Sequence, residues 1–118
     1  MISPQGAAMI NVGIIGSGFI GPAHIEALRR LGFVQVVALC DGSLVKAQEK
    51  ARQLNVPHAY ASVEELLAHS NLHAVHNCTP NHLHAEINRQ ILRAGKHVFS
   101  EKPLCMTPDE ARELVALA

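Results

Sequence analysis

This sequence lacks, first of all, a net charge: ten Lys and Arg stand against ten Asp and Glu, for +0 at pH 7. No positive field exists to gather phosphates, which argues against a nucleic-acid partner. The same balance gives little charge-based solubility near neutral pH. Cysteine is scarce, with Cys40, Cys78 and Cys105 an odd set without C-x-x-C spacing. That excludes a disulfide framework and reads as reduced, mostly buried thiols of a cytoplasmic protein. No apolar run approaches the ~20 residues that span a bilayer, so a membrane is not expected as a partner. The opening "MISPQGAAMI" has neither the basic region nor the apolar core of a secretory signal. Residues 1–8 read as a flexible leader, and Met9 is a candidate start because ordered pattern begins at Ile10. Low-complexity tracts and linkers are missing too.

What is present is a core-rich composition. Hydrophobic residues make up 48% and charged residues 17%, below the roughly 25% of an average soluble protein. At 118 residues there is room for one domain. From residue 10, apolar runs alternate with helical periodicity. The runs are 10–16, 34–40, a weak 58–61, 73–79 and 96–100. Unbroken apolar runs, "HVF" at 97–99 included, predict strands buried on both faces. Helices are expected over 20–31, with Ala23, Ala27, Leu28 and Leu31 facing inward, and over 44–54, with Leu44, Ala47, Ala51 and Leu54. A third, 63–69, follows a capping box of Ser62 and Glu65. A fourth, 82–94, carries Leu83, Ile87 and Ile91 and stops at Gly95. The fifth opens at Thr107-Pro108-Asp109-Glu110, an N-cap, a first-turn proline and a capping-box glutamate. Strand and helix in alternation predict an α/β domain over 9–118: a doubly wound, Rossmann-type parallel sheet of five strands.

"VGIIGSGFIG" places Gly16, Gly18 and Gly21 in G-x-G-x-x-G spacing between the first strand and first helix. In that position the glycines allow a tight turn, close approach of a pyrophosphate and close helix–strand packing. Ser17, Phe19 and Ile20 complete the loop, whose helix presents free N–H groups to an anion. Asp41 ends the second strand at the offset, about 20 residues on, where a carboxylate accepts from the ribose hydroxyls of a dinucleotide. A 2′-phosphate would meet a like charge there, so NAD is favoured over NADP. Ser43 and Lys46 leave a phosphate site open.

Two further loops leave the same rim. In "CTPNHLH", Thr79-Pro80-Asn81 predicts a rigid turn, with Asn81 as N-cap of the next helix. His82 and His84 are two apart, so a helix turns them to different faces, and no metal site is expected. His76, mid-strand, reads as a hydrogen-bonded core residue. In "SEKP", Lys102 leaves the fifth strand where a nicotinamide would lie. A lysine there can hydrogen-bond a substrate hydroxyl or share in its deprotonation. Pro103 pre-organises the loop, and Glu101 is placed to hold either the lysine or the nicotinamide ribose.

Together "GIIGSGFIG", "CTPNHLH" and "SEKP", followed by a capped helix, resemble the N-terminal half of the glucose–fructose oxidoreductase / inositol dehydrogenase (Gfo/Idh/MocA) family. The resemblance covers nearly all of 9–118. It implies an NAD(P)-dependent oxidoreductase acting on sugars, polyols and related small molecules. By it, Lys102 corresponds to the family's active-site lysine. Thr79, Pro80, Asn81, Glu101 and Pro103 would line the nicotinamide and its ribose, and Gly16, Gly18 and Gly21 the pyrophosphate. His84 matches the histidine closing the family's "TPxxxH" pattern. The family continues into a sixth strand and an α+β domain that shapes the substrate pocket. The chain therefore reads as a piece of a longer protein, inactive alone, with an open edge at strand five through which two copies can pair. The faces of Leu114, Val115 and Leu117 call for cover as well. Two other functions compete: glycoside cleavage through transient oxidation by bound NAD, and dinucleotide binding without turnover.

Overall fold

A computed structural model describes residues 9–16, 18 and 20–118; the leader 1–8, Ser17 and Phe19 lie outside the described residues. Five strands form one sheet: β1 (Ile10–Ile15), β2 (Val34–Cys40), β3 (His58–Tyr60), β4 (Ala74–Asn77) and β5 (His97–Ser100). Their order is β3-β2-β1-β4-β5, and every pairing is parallel. Parallel neighbours need crossovers, supplied by α1 (Gly21–Arg29), α2 (Leu44–Gln53), α3 (Val63–Leu67) and α4 (His84–Arg93). Helix α5 (Pro108–Leu117) follows β5. This is the doubly wound Rossmann arrangement that the alternation predicts.

Polar side chains start the helices as expected. Ser43 accepts from the Lys46 amide at 3.2 Å, and Ser62 from that of Glu65 at 3.1 Å. Thr107 and Glu110 form a complete capping box at α5. Helix α4 ends before Gly95, whose φ of +76° suits a residue without Cβ.

The core has two layers, one on each face of the sheet. One gathers Val12, Ile14, Val36 and Leu39 with Ile25, Ala47 and Ala51 from α1 and α2. The other gathers Ile15, Val37, Ala38 and Val75 with Leu66, Ile87 and Ile91 from α3 and α4. Val37 and Ala38 share a face because β2 carries one extra residue there: Val12 pairs with Val36 but Gly13 with Ala38.

Four expectations need correction. Helix α1 turns Gly21 and Ile25 inward, whereas Ala23, Ala27 and Leu31 are exposed. Gly21 is the cause, because it packs directly on the glycine loop and so fixes the rotation of the helix. Leu44 is also exposed, leaving Ala47 and Ala51 as the inward face of α2. The "HVF" run is not buried on both faces: β5 is an edge strand with Phe99 60% exposed. Finally, Asn81 caps no helix with its side chain. A 3₁₀ turn over Asn81–Leu83 precedes α4, and neither start has a side-chain cap.

Candidate functional site

Register brings the carboxyl ends of the strands into one row. Tyr60 pairs with Cys40, Cys40 with Ile15, Ile15 with Asn77 and Asn77 with Ser100. The ladder continues one residue further: Gly16 N–H donates to Cys40 O, Cys78 N–H to Ile15 O and Glu101 N–H to Asn77 O. All three loops singled out from the sequence therefore rise from the same rim, where open parallel sheets bind ligands.

At the centre, Gly16 has φ +85°, and a Cβ there would lie 2.7 Å from the Cys78 carbonyl oxygen. A Cβ on Gly21 would lie 2.6 Å from the Gly16 oxygen. Both positions thus need glycine for close backbone packing. Gly18 differs, because among the described residues nothing lies within 4 Å of its would-be Cβ. That space is compatible with the close approach of a pyrophosphate, so the described part of the loop fits a dinucleotide. Ile20 is half-buried beside it.

Asp41 is half-buried and accepts from the Gly42 amide through Oδ1 at 2.6 Å. It lines two neighbouring open cavities, each about 380 Å³, which share Gly16, Thr79 and Pro80. One is walled by Ala61, Val63, Leu83 and Ile87, an apolar slot suited to a flat ring. The other runs past Gly18 and Ile20. Asp41 stands at their junction.

A buried polar network carries the other two loops. Asn77, His84 and Asn88 are each 0% exposed. Asn77 Oδ1 accepts from Thr79 Oγ1 at 2.6 Å, and its Nδ2 donates to Asn88 Oδ1 at 2.8 Å. Asn88 Nδ2 donates to Ser100 Oγ at 3.0 Å and to the Leu104 carbonyl at 3.2 Å. The His84 ring bridges the two loops, with Nε2 2.7 Å from Thr79 O and Nδ1 2.5 Å from Pro103 O. Thr79 and Pro103 are in this way locked to one side chain.

Lys102 is exposed at the rim and is joined to Pro103 by a cis peptide bond. Among the described residues no carboxylate pairs with it. Glu101 turns the other way, with Oε2 3.7 Å from His24 Nε2 on α1. His24 Nδ1 in turn lies 2.9 Å from Nδ1 of His76, whose ring stacks on Phe99 at 4.8 Å. Burial first and His24 second push His76 down to about 4, so that ring stays neutral near pH 7. His76 is thus half-buried and hydrogen-bonded, as expected. Two thiols flank the site and are kept protonated. Burial above all, with Asp41 and Glu65 nearby, raises Cys40 to about 11; burial and then Glu101 raise Cys78 to about 12.

The structure brings Gly16, Gly18, Ile20, Asp41, Thr79 and Pro80 to two adjoining cavities, and His84, Glu101, Lys102 and Pro103 to the loop beside them. Asn81 is exposed at the start of the 3₁₀ turn. Ser17 and Phe19 lie outside the described residues. No group of three metal-ligating side chains occurs among the described residues. Asn77, Asn88 and His24 carry the loops, yet sequence reasoning passed over them. The signal was there: an asparagine closing an apolar strand, and another on the Ile87–Ile91 face of α4.

Comparison with known proteins agrees with this fold. An uncharacterized oxidoreductase, sll0816, of a Synechocystis strain is 39% identical over 92% of this chain and 29% of its own length. An NAD-binding oxidoreductase from Klebsiella pneumoniae superposes with TM-score 0.90 at 35% identity, over 94% of this chain and 32% of that one. Levoglucosan dehydrogenase, solved with NADH and levoglucosan, gives TM-score 0.87 at 31% identity over 92% and 32%. The chain spans about a third of the length of these relatives. Residues 10–118 match the Gfo/Idh/MocA family model, described as an oxidoreductase family with an NAD-binding Rossmann fold, and the chain belongs to that family.

Proposed function

We propose that residues 9–118 are the dinucleotide-binding unit of an NAD-dependent oxidoreductase that acts on a hydroxyl or carbonyl of a sugar or polyol. The observation that carries this reading is the meeting, on one rim, of Gly18, the Asp41 carboxylate and Lys102, which has no acidic partner among the described residues. Gly16, Gly18 and Gly21, with Ser17, Phe19 and Ile20, would hold the pyrophosphate at the start of α1. Asp41 would accept from the adenosine ribose hydroxyls and repel a 2′-phosphate, which favours NAD over NADP. Thr79, Pro80, Asn81, His84, Glu101 and Pro103 would shape the nicotinamide side, with Thr79 and Pro103 tied through His84. Lys102 is assigned the substrate's reacting hydroxyl, to which it donates a hydrogen bond and whose proton it helps to move. Bound nicotinamide supplies the hydride acceptor or donor.

The substrate class rests on relatives about three times as long, among them the levoglucosan dehydrogenase bound to its sugar. In this reading the whole protein turns over an alcohol, while the chain alone binds dinucleotide without turnover. No described helix is long and apolar enough to cross a membrane. With buried, protonated Cys40 and Cys78, we place the protein in the cytoplasm. The open β5 edge pairs with a second copy of the chain.

The test is titration with NADH and NADPH, read by nucleotide fluorescence, because the chain has no tryptophan. NADH should bind more tightly, and Asp41→Ala should weaken it about tenfold, the scale of one lost charged hydrogen bond. A chain folded by circular dichroism that binds neither nucleotide would refute the reading.

A further inference from the structure

The chain from His76 through His24 to Glu101 lies outside the cavities assigned to the dinucleotide, yet it ends one residue before Lys102. His24 sits on α1, one turn beyond Gly21. It is 12% exposed in its side chain and meets three groups: His76 from β4, Phe99 from β5 and Glu101 just past β5. His76 is neutral near pH 7 and can either give or take the Nδ1 hydrogen bond, depending on its tautomer. When His76 gives that bond, His24 Nδ1 accepts it, and the proton on His24 Nε2 faces the Glu101 carboxylate 3.7 Å away.

The consequence concerns charge. Glu101 and Lys102 are adjacent in the chain, and a carboxylate that comes within reach of an ammonium holds it in its charged form. Here the carboxylate is drawn toward α1, and among the described residues Lys102 has no acidic partner. Taking the function proposed above as given, we infer that His24 is a positioning residue: its imidazole anchors Glu101 on the α1 side and so keeps the Lys102 amine available to substrate. The same contact joins the helix that opens at the phosphate loop to the loop that carries the lysine.

The test reads the lysine directly. Amine acylation followed by mass spectrometry gives the labelling rate of Lys102, with Lys46, Lys50 and Lys96 as internal references. Labelling follows the neutral fraction of an amine, which a close carboxylate lowers. His24→Leu frees Glu101 to pair with Lys102, and Lys102 labelling should slow about three- to tenfold while the reference lysines keep their rates. His24→Gln keeps a donor toward Glu101 and should retain the parent rate. Adding Glu101→Gln to His24→Leu removes the carboxylate and should restore it. An unchanged Lys102 rate in His24→Leu would overturn the inference, as would a slowing that Glu101→Gln fails to reverse, since that would mark a merely disturbed loop. NADH binding is measured beside it: its absence with the labelling pattern intact would count against the dinucleotide reading alone.

Discussion

His76 occupies a strand position that the fold keeps half out of water, and its proton balance can be followed through stability. The folded ring titrates at about 4 against 6.5 for the free residue, so as pH falls the unfolded chain takes up its proton first. The contribution of His76 is complete above pH 6.5 and declines as pH drops from there toward about 4. Full linkage over that span would amount to about 3 kcal/mol, and partial exposure of the ring screens it to about 1–2 kcal/mol. Urea midpoints measured between pH 7.5 and 4.5 should therefore fall more steeply in the parent than in His76→Gln. Equal slopes would show that His76 is not held neutral. The neighbouring thiols follow the same physics with the opposite sign. Burial keeps Cys40 and Cys78 protonated, which makes them packing residues of the rim.

At the scale of elements, a buried side-chain network joins β4, α4, β5 and the loop that follows it. Asn88 reaches Asn77, Ser100 and the Leu104 carbonyl at once. Replacing it with leucine would strand these groups inside a dry layer. The cost should be about 2–4 kcal/mol by urea denaturation, with faster amide exchange over residues 101–106. A stability loss under about 0.5 kcal/mol would mean water replaces the amide there. This network also marks how far the sequence could be read. The glycine loop, Asp41 and the two rim loops were legible, because turn chemistry and strand ends constrain the backbone locally. Asn88 was passed over although it shares the Ile87–Ile91 face of α4, because a polar residue on a helix is ordinarily solvated, and its partners Asn77, Ser100 and the Leu104 carbonyl come from distant parts of the chain. Helix α1 failed differently. Two apolar stripes compete on it, Ala23–Ala27–Leu31 and Gly21–Ile25–Leu28. The contact of Gly21 with Gly16, a tertiary fact, selects the second.

For the molecule as a whole, two of the departures from expected burial, at α1 and at β5, fall on one side. The α1 stripe that packing leaves out, Ala23, Ala27 and Leu31, faces Phe99 across an open apolar groove. Beside it, β5 is paired only with β4 among the described strands. Unpaired strand groups beside exposed apolar surface favour pairing with another strand, and a chain without net charge has no general repulsion to oppose it. A closed two-fold pair requires the two β5 strands to run antiparallel, which continues the sheet across both copies and stops there. Sedimentation velocity should then show a mass that rises from one chain to two with concentration and goes no further. Phe99→Lys places a charge on that edge and should hold the chain monomeric at every concentration while its circular dichroism stays that of the parent. A parent that remains monomeric at high concentration would rule out the paired edge. Growth beyond two copies would show that the groove makes contacts that do not close.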